Sequence, residues 1–253
     1  MRDMDINLKH RAILVTGAAQ GLGLGIARRL AAAGARLVLV DRDPAVKDRL
    51  ADPLLTNSAI ALVRDLAEPD AARDVMRSAS EKVGVLDGLV NCAAWSFHKP
   101  FSETTISEFD HVVAINQRAP FFLSQEFAKA VGDSIADPCI VNIASVNALV
   151  GNANLIAYAS TKGALVAMGR AMAVELAPRI RVVTISPSAI LTTNTENLIA
   201  EGQVAVQPLL NRYLVKRFIT VEEVADLVAF LFGPSARSIT GCNWIIDGGL
   251  TAQ

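Results

Sequence analysis

A tyrosine and a lysine four positions apart are the side chains of this chain best suited to chemistry. Tyr158 and Lys162 occupy positions i and i+4 of a helical pattern, so both project from the same helix face. A phenol has a pKa of about 10 in water, and a neighbouring ammonium favours the phenolate and lowers that pKa. Ser145 follows a strand-like run and is placed to donate a hydrogen bond to a substrate oxygen. The three residues predict a proton donor and acceptor for work near neutral pH.

A second motif lies near the start of the chain, in the segment Thr16-Gly17-Ala18-Ala19-Gln20-Gly21-Leu22-Gly23. Gly17, Gly21 and Gly23 follow the apolar run that ends at Val15, and they open a helical pattern. Glycines at such a turn let the backbone approach a pyrophosphate, and the amides of a helix N-terminus attract its negative charge. The position directly after a first strand predicts a dinucleotide site.

The end of the next apolar run bears on the choice of coenzyme. Asp41 stands where a carboxylate accepts hydrogen bonds from the adenosine ribose and repels a 2′-phosphate. Asp43 is better placed than Asp41 to cap the turn that begins at Pro44. Arg42 would favour a phosphate, but the glycine turn has no basic residue to assist it. We therefore expect NAD as the coenzyme, with NADP less favoured.

Short β-branched runs alternate with helical patterns along the chain, which predicts a parallel sheet. Right-handed crossovers then give a single-domain α/β Rossmann fold over residues 1–253, with a doubly wound seven-stranded parallel sheet and helices on both faces. The expected strands are Ala12–Val15, Arg36–Val40, Ile60–Val63, Leu86–Asn91, Ile140–Ile143, Arg181–Ile185 and Asn243–Ile246. The expected helices are Gly23–Ala33, Asp70–Lys82, Ile106–Val131, Tyr158–Ala177 and Val221–Phe232. The segment at about 190–215 breaks this alternation and is expected to form a lid over the substrate.

Composition and charge argue against several classes of function. Charged residues are 19% of the chain and the formal net charge is −1, so no basic excess indicates nucleic acid or an anionic membrane. The uncharged stretch 138–161 contains four asparagines, which favours a strand, a loop and a helix start over a membrane span. Residues 1–6 include acidic side chains and lack the apolar core of a signal peptide.

The cysteines and histidines indicate a reduced protein without a catalytic metal. Cys92, Cys139 and Cys242 are isolated in the sequence, with no CxxC spacing, so we expect free thiols and a cytoplasmic location. The histidines, cysteines and aspartates form no cluster with the spacing of metal ligands.

These motifs resemble those of the short-chain dehydrogenase/reductase family over nearly the whole chain. The glycine turn matches the family's glycine motif, and Ser145, Tyr158 and Lys162 match its serine, tyrosine and lysine. The remaining matches are Asp65 with Leu66, Asn91-Cys92-Ala93-Ala94 for the family's Asn-Asn-Ala-Gly, the mid-helix Asn116, Pro187-Ser188-Ala189-Ile190-Leu191-Thr192 at the nicotinamide end, and the C-terminal Ile239-Thr240-Gly241 and Asp247-Gly248-Gly249. Three positions depart from the family pattern, at Cys92, Ala94 and Ser188, and none of them removes a catalytic group.

The resemblance implies a role for individual residues and a homotetrameric assembly. Tyr158 would be the general acid/base and Ser145 would orient the substrate oxygen. Lys162 would hold the nicotinamide ribose and lower the tyrosine pKa, and Asn116 would anchor a water that relays the proton. The implied coenzyme-binding residues are Gly17, Gln20, Gly21, Leu22, Gly23, Asp41, Asp65, Leu66, Asn91, Ala93, Tyr158, Lys162, Pro187, Ile190 and Thr192.

Further side chains are placed to line a substrate pocket of mixed polarity. Besides Ser145 and Tyr158, these are Trp95, Asn147 and Asn154, which follow strands whose carboxyl ends meet at one edge of the sheet. Ordinary packing in the core or at an interface accounts for each of them about equally well.

The predicted function is that of an oxidoreductase with a small-molecule substrate. NAD-dependent hydride transfer would interconvert a secondary alcohol (a sugar, polyol or cyclic alcohol) and its ketone, with Tyr158 as general acid/base. One alternative is an NADPH-dependent ketoreductase of the 3-oxoacyl-carrier-protein reductase type, and Asp41 weighs against it. The other is a non-catalytic sensor that binds NAD, and an intact set of Asn116, Ser145, Tyr158 and Lys162 weighs against that.

Overall fold

Seven short apolar segments form one parallel sheet in the computed structural model, which describes residues 6–132, 135–201 and 206–252. The strands are β1 (Ala12–Thr16), β2 (Arg36–Asp41), β3 (Ala59–Val63), β4 (Gly88–Asn91), β5 (Cys139–Ile143), β6 (Arg181–Pro187) and β7 (Asn243–Ile246). Their spatial order is β3-β2-β1-β4-β5-β6-β7, with parallel pairing throughout. The order reverses between β1 and β4, and this is where open α/β sheets bind ligands. The predicted doubly wound Rossmann fold is confirmed.

Helices cover both faces of the sheet and divide the core in two. They are α1 (Gly21–Ala32), α2 (Ala71–Val83), α3 (Ile106–Val113), α4 (Ala119–Ala130), α5 (Ile156–Leu176), α6 (Thr193–Ala200), α7 (Val206–Asn211) and α8 (Val221–Phe232). Alternate residues of β1 serve the two cores: Ile13 and Val15 pack with α1 and α8, whereas Leu14 packs with α2 and α4. Because both faces of β1 are covered, all five of its residues are buried.

The predicted elements agree with the observed ones to within about two residues, with one exception. The helix expected over Ile106–Val131 is interrupted by a π-helical segment, Ala114–Arg118, which joins α3 to α4. A π segment widens one helical turn, and such segments are frequent at functional sites. Asn116 lies inside it, so the interruption occurs at a predicted catalytic residue.

The expected lid contains two short helices, α6 and α7, in the part that the structure describes. Residues 202–205 of that segment lie outside the described residues, as do residues 1–5 of the N-terminus considered above. Ile190, at the start of that segment, forms a parallel β-bridge with Ile219, which lies just past its end. In the described parts of the chain, none of the helices is both long and apolar enough to span a membrane.

Candidate active site

The glycine turn between β1 and α1 borders a cavity of about 270 Å³ at the carboxyl edge of the sheet. Gly17 has a φ of +70° and Gly21 a φ of +54°, in the left-handed region that glycine adopts readily. A Cβ on Gly17 would lie 2.8 Å from the Cα of Ala93, and a Cβ on Gly23 would lie 2.0 Å from the carbonyl oxygen of Gly17. We call Gly17, Gly21 and Gly23 the glycine cradle. Because α1 begins at Gly21, the first amides of that helix lie at the cradle, an arrangement that fits a pyrophosphate.

The cavity brings together residues from four different strand ends. The predicted coenzyme residues among its lining are Gly17, Gln20, Leu22, Gly23, Asp41, Asp65, Leu66 and Ala93. Six further residues that the sequence did not lead us to assign to the coenzyme complete the lining: Arg42, Arg64, Cys92, Ala94, Trp95 and Ile115. Trp95, predicted as a substrate residue, therefore also borders the coenzyme cavity, with its ring centroid 4.6 Å from that of His111.

Backbone amides hold the carboxylate of Asp41 at this cavity. Its Oδ2 accepts a hydrogen bond from the Ala19 amide at 2.9 Å, and its Oδ1 accepts one from the Asp43 amide at 3.0 Å. Asp43 in turn caps the short turn that begins at Pro44, accepting a hydrogen bond from the Ala45 amide at 2.9 Å. The prediction that Asp43 and not Asp41 is the cap is confirmed, and Asp41 retains acceptor lone pairs for a ribose.

The remaining predicted coenzyme residues differ in how closely they approach the cradle. The methyl carbon Cγ2 of Thr192 would lie 3.8 Å from a Cβ on Gly21, so the start of α6 stands directly against the glycine turn. Ile190 pairs with Ile219 just before it, at the end of the segment that follows Pro187. Asn91 is buried, and its Nδ2 donates to Ser124 Oγ and Asn142 Oδ1 in the sheet interior; its coenzyme role stays a prediction.

Ser145, Tyr158 and Lys162 converge near Cys92, which lines the same cavity. Ser145 follows the end of β5, and Tyr158 lies in the first turn of α5. Lys162 is 2% exposed; its Nζ donates to the Ile143 carbonyl oxygen at 2.7 Å and lies 5.6 Å from the centroid of the Tyr158 ring. The helical spacing of four thus places the ammonium beneath the phenol, as the sequence predicts.

Burial shifts the pKa values of both groups towards their neutral forms. It lowers the pKa of Lys162 to about 8. It raises the pKa of Tyr158 to about 12, and hydrogen bonding by Ser145 opposes that rise. The net shift of the Tyr158 pKa is thus upward, opposite to the lowering expected from the sequence, and burial is its largest cause. The raised pKa of Tyr158 favours the neutral phenol, the form that donates a proton.

Asn116 is fully buried at the π segment and holds the cavity wall. Its Oδ1 accepts from the Trp95 amide at 2.8 Å, and its Nδ2 donates to the Trp95 carbonyl at 2.9 Å and to Thr161 Oγ1 at 3.2 Å. The side chain is therefore committed to protein partners from two other segments. The water that the family resemblance places on Asn116 stays a prediction.

The two predicted substrate asparagines have different positions. Asn147 contacts Ser145, since its backbone amide and its Nδ2 donate to Ser145 Oγ at 3.2 and 3.3 Å. Asn154 is exposed in a left-handed turn with φ of +64°, and its carbonyl accepts from the Lys99 amide at 3.0 Å. Asn147 therefore lies at Ser145, whereas the contact shown for Asn154 is made by its backbone carbonyl.

Two residues next to Asn147 were missed by the sequence reasoning. Asn152 donates from Nδ2 to Asn147 Oδ1 at 2.5 Å, and Arg212 donates from Nη1 to Asn152 Oδ1 at 3.1 Å. The only signal in the sequence was the run of asparagines in an uncharged stretch, which does not specify their partners. As for metals, a search of the described residues finds no group of three His, Cys, Asp or Glu side chains able to hold an ion.

Comparisons with known proteins identify the family of the chain. A family model described as "Enoyl-(Acyl carrier protein) reductase" matches residues 17–251. The L-xylulose reductase of Bos taurus is 36% identical over 98% of this chain and 100% of that protein, and the carbonyl reductase [NADPH] 2 of Sus scrofa is 31% identical over 99% and 100%.

A solved structure extends the agreement to the backbone. The 3-ketoacyl-(acyl-carrier-protein) reductase from Brucella melitensis complexed with NADH superposes with a TM-score of 0.88, at 31% identity, over 97% of this chain and 100% of that one. The sheet order, the glycine cradle and the Ser145–Tyr158–Lys162 set are the features expected from the sequence motifs. The chain therefore belongs to the short-chain dehydrogenase/reductase family of oxidoreductases.

Proposed function

We propose that this protein interconverts a secondary alcohol and its ketone by NAD-dependent hydride transfer, with Tyr158 as general acid/base. The substrate class is a sugar, a polyol or a cyclic alcohol. One observation carries the proposal: Ser145, Tyr158 and Lys162 converge within electrostatic range of Cys92, which lines the cavity that the glycine cradle borders. A phenol beside a coenzyme cavity has a clear use in such a reaction, because the alcohol must lose a proton when its carbon loses a hydride.

The protein groups handle the oxygen and its proton. When bound, the nicotinamide supplies the hydride donor or acceptor. Ser145 donates a hydrogen bond to the substrate oxygen and stabilises the charge that develops there. Tyr158 protonates that oxygen during ketone reduction and removes its proton during alcohol oxidation. Lys162 keeps a positive charge near the phenolate, which forms when Tyr158 gives up its proton in the reduction direction and takes the alcohol proton in the oxidation direction. Its bond to the Ile143 carbonyl fixes its position.

Asp41 supports NAD as the coenzyme. Its carboxylate is held at the cavity wall by two backbone amides, and a 2′-phosphate placed there would meet a negative charge. The residues we assign to the pyrophosphate are the cradle glycines with Gln20 and Leu22. Asp65 and Leu66 line the same cavity on the side of β3, where we place the adenine.

A second candidate is a ketoreductase that uses NADPH, of the 3-oxoacyl-carrier-protein reductase type. Arg42 and Arg64 both line the cavity, and two guanidinium groups would suit a 2′-phosphate. Arg64 is partly engaged already, since it forms an ion pair with Asp74 at 3.2 Å. The relatives described above include one protein named for NADPH and one complex with NADH, so the coenzyme preference is to be measured on this chain.

We also propose that the segment at about 190–215 is the substrate lid, within a single domain that spans residues 1–253. Tyr213 ties its end to the site: the side chain is 1% exposed and its Oη accepts from the Ala189 amide at 3.3 Å. We propose a homotetramer, because α4 and α5 expose Phe121, Phe122 and Val174, the last of them 83% exposed. The free thiols of all three cysteines support a cytoplasmic location.

The test is formation of NADH from NAD with a panel of sugars, polyols and cyclic secondary alcohols, with each active substrate repeated in NADP. We expect turnover with NAD that is at least about tenfold more efficient than with NADP, and its loss in Tyr158→Phe. A preference for NADP would favour the second candidate. Tight NADH binding with no turnover on any substrate or ketone would contradict catalysis and favour a non-catalytic sensor.

A further inference from the structure

A chain of hydrogen bonds connects the surface of the lid to the catalytic serine. It begins at Arg212, directly after α7, whose Nη1 donates to Asn152 Oδ1 at 3.1 Å. Asn152 Nδ2 then donates to Asn147 Oδ1 at 2.5 Å. Asn147 Nδ2 donates to Ser145 Oγ at 3.3 Å, and the Asn147 backbone amide adds a second bond to the same oxygen at 3.2 Å. We call Arg212, Asn152 and Asn147 the lid-to-serine chain.

The chemistry of the first residue gives this chain a direction. A guanidinium donates hydrogen bonds and cannot accept them, so Asn152 must present its carbonyl oxygen to Arg212. The amide group of Asn152 is then turned towards Asn147, whose carbonyl oxygen accepts from it. Asn147 consequently turns its own NH₂ group towards Ser145. Each amide orientation is fixed by the donor before it, although either asparagine alone could flip.

The direction of the chain determines which hydrogen bonds the Ser145 hydroxyl accepts and which one it donates. A hydroxyl oxygen has two acceptor lone pairs and one proton. The two bonds from Asn147 occupy both lone pairs of Ser145 Oγ. Its proton is therefore left for the remaining side, where Tyr158 and the substrate oxygen lie.

We propose that Arg212, Asn152 and Asn147 are positioning residues that make Ser145 a dedicated hydrogen-bond donor to the substrate oxygen. This inference rests on the proposed function, because it assigns the direction of a hydrogen bond within the same site. Its consequence is that the end of the lid helps to set catalytic efficiency without touching the substrate. A carbonyl or alkoxide oxygen, which accepts hydrogen bonds, is the group that such a serine stabilises best.

The first test uses Asn152→Asp, which keeps the size of the side chain and reverses the second link. The new carboxylate still accepts from Arg212, now as an ion pair, but it has no proton for Asn147 Oδ1. Asn147 then flips to donate to the carboxylate and presents its own oxygen to Ser145. We expect kcat to fall at least about fivefold while the coenzyme dissociation constant stays within about twofold, the size of one lost hydrogen bond.

Variants at Arg212 test whether the direction of the hydrogen bonds matters, or only the attachment of the lid to Asn152. Arg212→Lys keeps a group that can only donate, and we expect kcat within about twofold of wild type. Arg212→Met removes the donor, and we expect a loss of kcat similar to that of Asn152→Asp. Gln207→Met is the matched control, since it removes a side-chain bond to Asn211 on the same helix but outside the chain, and it leaves kcat unchanged.

Two outcomes would contradict the proposed direction of the hydrogen bonds. If the lid needed only a tether, the ion pair in Asn152→Asp would preserve or raise kcat, and that outcome would overturn the proposal. Equal losses in Arg212→Lys and Arg212→Met would overturn it as well.

Neutron diffraction keeps this test independent of the proposed function, because it locates exchanged hydrogens without any turnover. In the wild type we expect both Asn147 donors to point at Ser145 Oγ and the serine deuteron to point at Tyr158. In Asn152→Asp we expect the serine deuteron to point at Asn147 Oδ1. An unchanged serine deuteron in the variant would overturn the inference, whereas a wild-type protein that turns over no substrate would contradict the proposed function alone.

Discussion

The two ends of the proposed active site differ in the atoms that form them: backbone atoms in the glycine cradle, and side chains around Ser145. At the glycine cradle, which we assign to the coenzyme, backbone packs against backbone, and a Cβ on Gly23 would lie 2.0 Å from a carbonyl oxygen. At the substrate end the surfaces are side chains from separate segments, joined by hydrogen bonds that run from Arg212 through Asn152 and Asn147. Tightly packed backbone leaves no room for an added side-chain atom, whereas each side chain of a hydrogen-bond network can be substituted separately. An added methyl group in the cradle should therefore have a larger effect than the loss of one link in the hydrogen-bond chain.

The largest effect is expected from a methyl group in the glycine cradle. Gly23→Ala places its Cβ against the Gly17 carbonyl, and neither backbone can move without displacing β1 or α1. We expect a loss of at least about 3 kcal/mol of unfolding free energy, the upper part of the range for overpacking, together with loss of NADH binding. Chemical denaturation and a fluorescence titration with NADH measure the two effects.

Gly163→Ala is the matched control for that substitution. Gly163 lies within α5, and a Cβ there would have no neighbour within 4 Å. Alanine favours a helix interior over glycine by about 1 kcal/mol, so stability should rise or stay constant. If Gly23→Ala and Gly163→Ala behaved alike, the contrast between a rigid coenzyme end and a tolerant surrounding helix would be wrong.

A smaller effect is expected at the wall of the same cavity. Asp41→Ser removes the negative charge that faces the ribose and leaves Arg42 and Arg64 in place. We expect kcat/KM with NAD to fall about tenfold to a hundredfold, as for the loss of a charge-assisted hydrogen bond, and kcat/KM with NADP to rise. Asp43→Asn is the control, because asparagine also caps the turn at Pro44. Unchanged coenzyme preference in Asp41→Ser would refute the assignment of Asp41.

The sequence predicted the coenzyme end more completely than the substrate end, and the contrast in construction explains why. The glycine turn, the strand before it and the helix after it are local patterns, so Gly17, Gly21 and Gly23 can be read in order. The link between Asn152 and Arg212 joins residues 60 positions apart, and nothing in either residue type marks the pairing. The direction of the Tyr158 pKa shift also escaped prediction, because its largest cause is burial, which is a property of the whole fold.

A smaller loss of stability is expected from the N-cap of α8, which follows the lid. Thr220 caps α8 directly after the bridge between Ile190 and Ile219, and Thr220 and Glu223 bond each other's backbone amides in a capping box. Thr220→Ala should cost about 1 kcal/mol of unfolding free energy, as other N-cap losses do. Thr220→Ser keeps the oxygen and should be close to wild type in the same denaturation experiment. Equal costs for the two variants would show that the cap oxygen does not anchor the lid.

The smallest expected effect is a pH dependence at the same cap. Hydrogen bonds from Arg217 and the Thr220 amide lower the pKa of Glu223 to about 2. Because the folded pKa lies below the unfolded one, the stabilisation is present above about pH 4.5 and is lost as the pH falls towards 2. Solvent screening of this partly exposed pair keeps the effect below about 1 kcal/mol. Glu223→Gln should remove that part of the slope, and an unaltered slope would rule the pair out as its source.

Binding and turnover measured together in Tyr158→Phe test the central claim most directly. Trp95 borders the coenzyme cavity, so its fluorescence reports NADH binding while absorbance follows turnover of the best substrate. We predict an NADH dissociation constant within about twofold of wild type and a turnover reduced about a hundredfold or more, the usual contribution of a general acid/base. Turnover that survives in Tyr158→Phe would contradict the assignment of Tyr158 as the group that moves the proton.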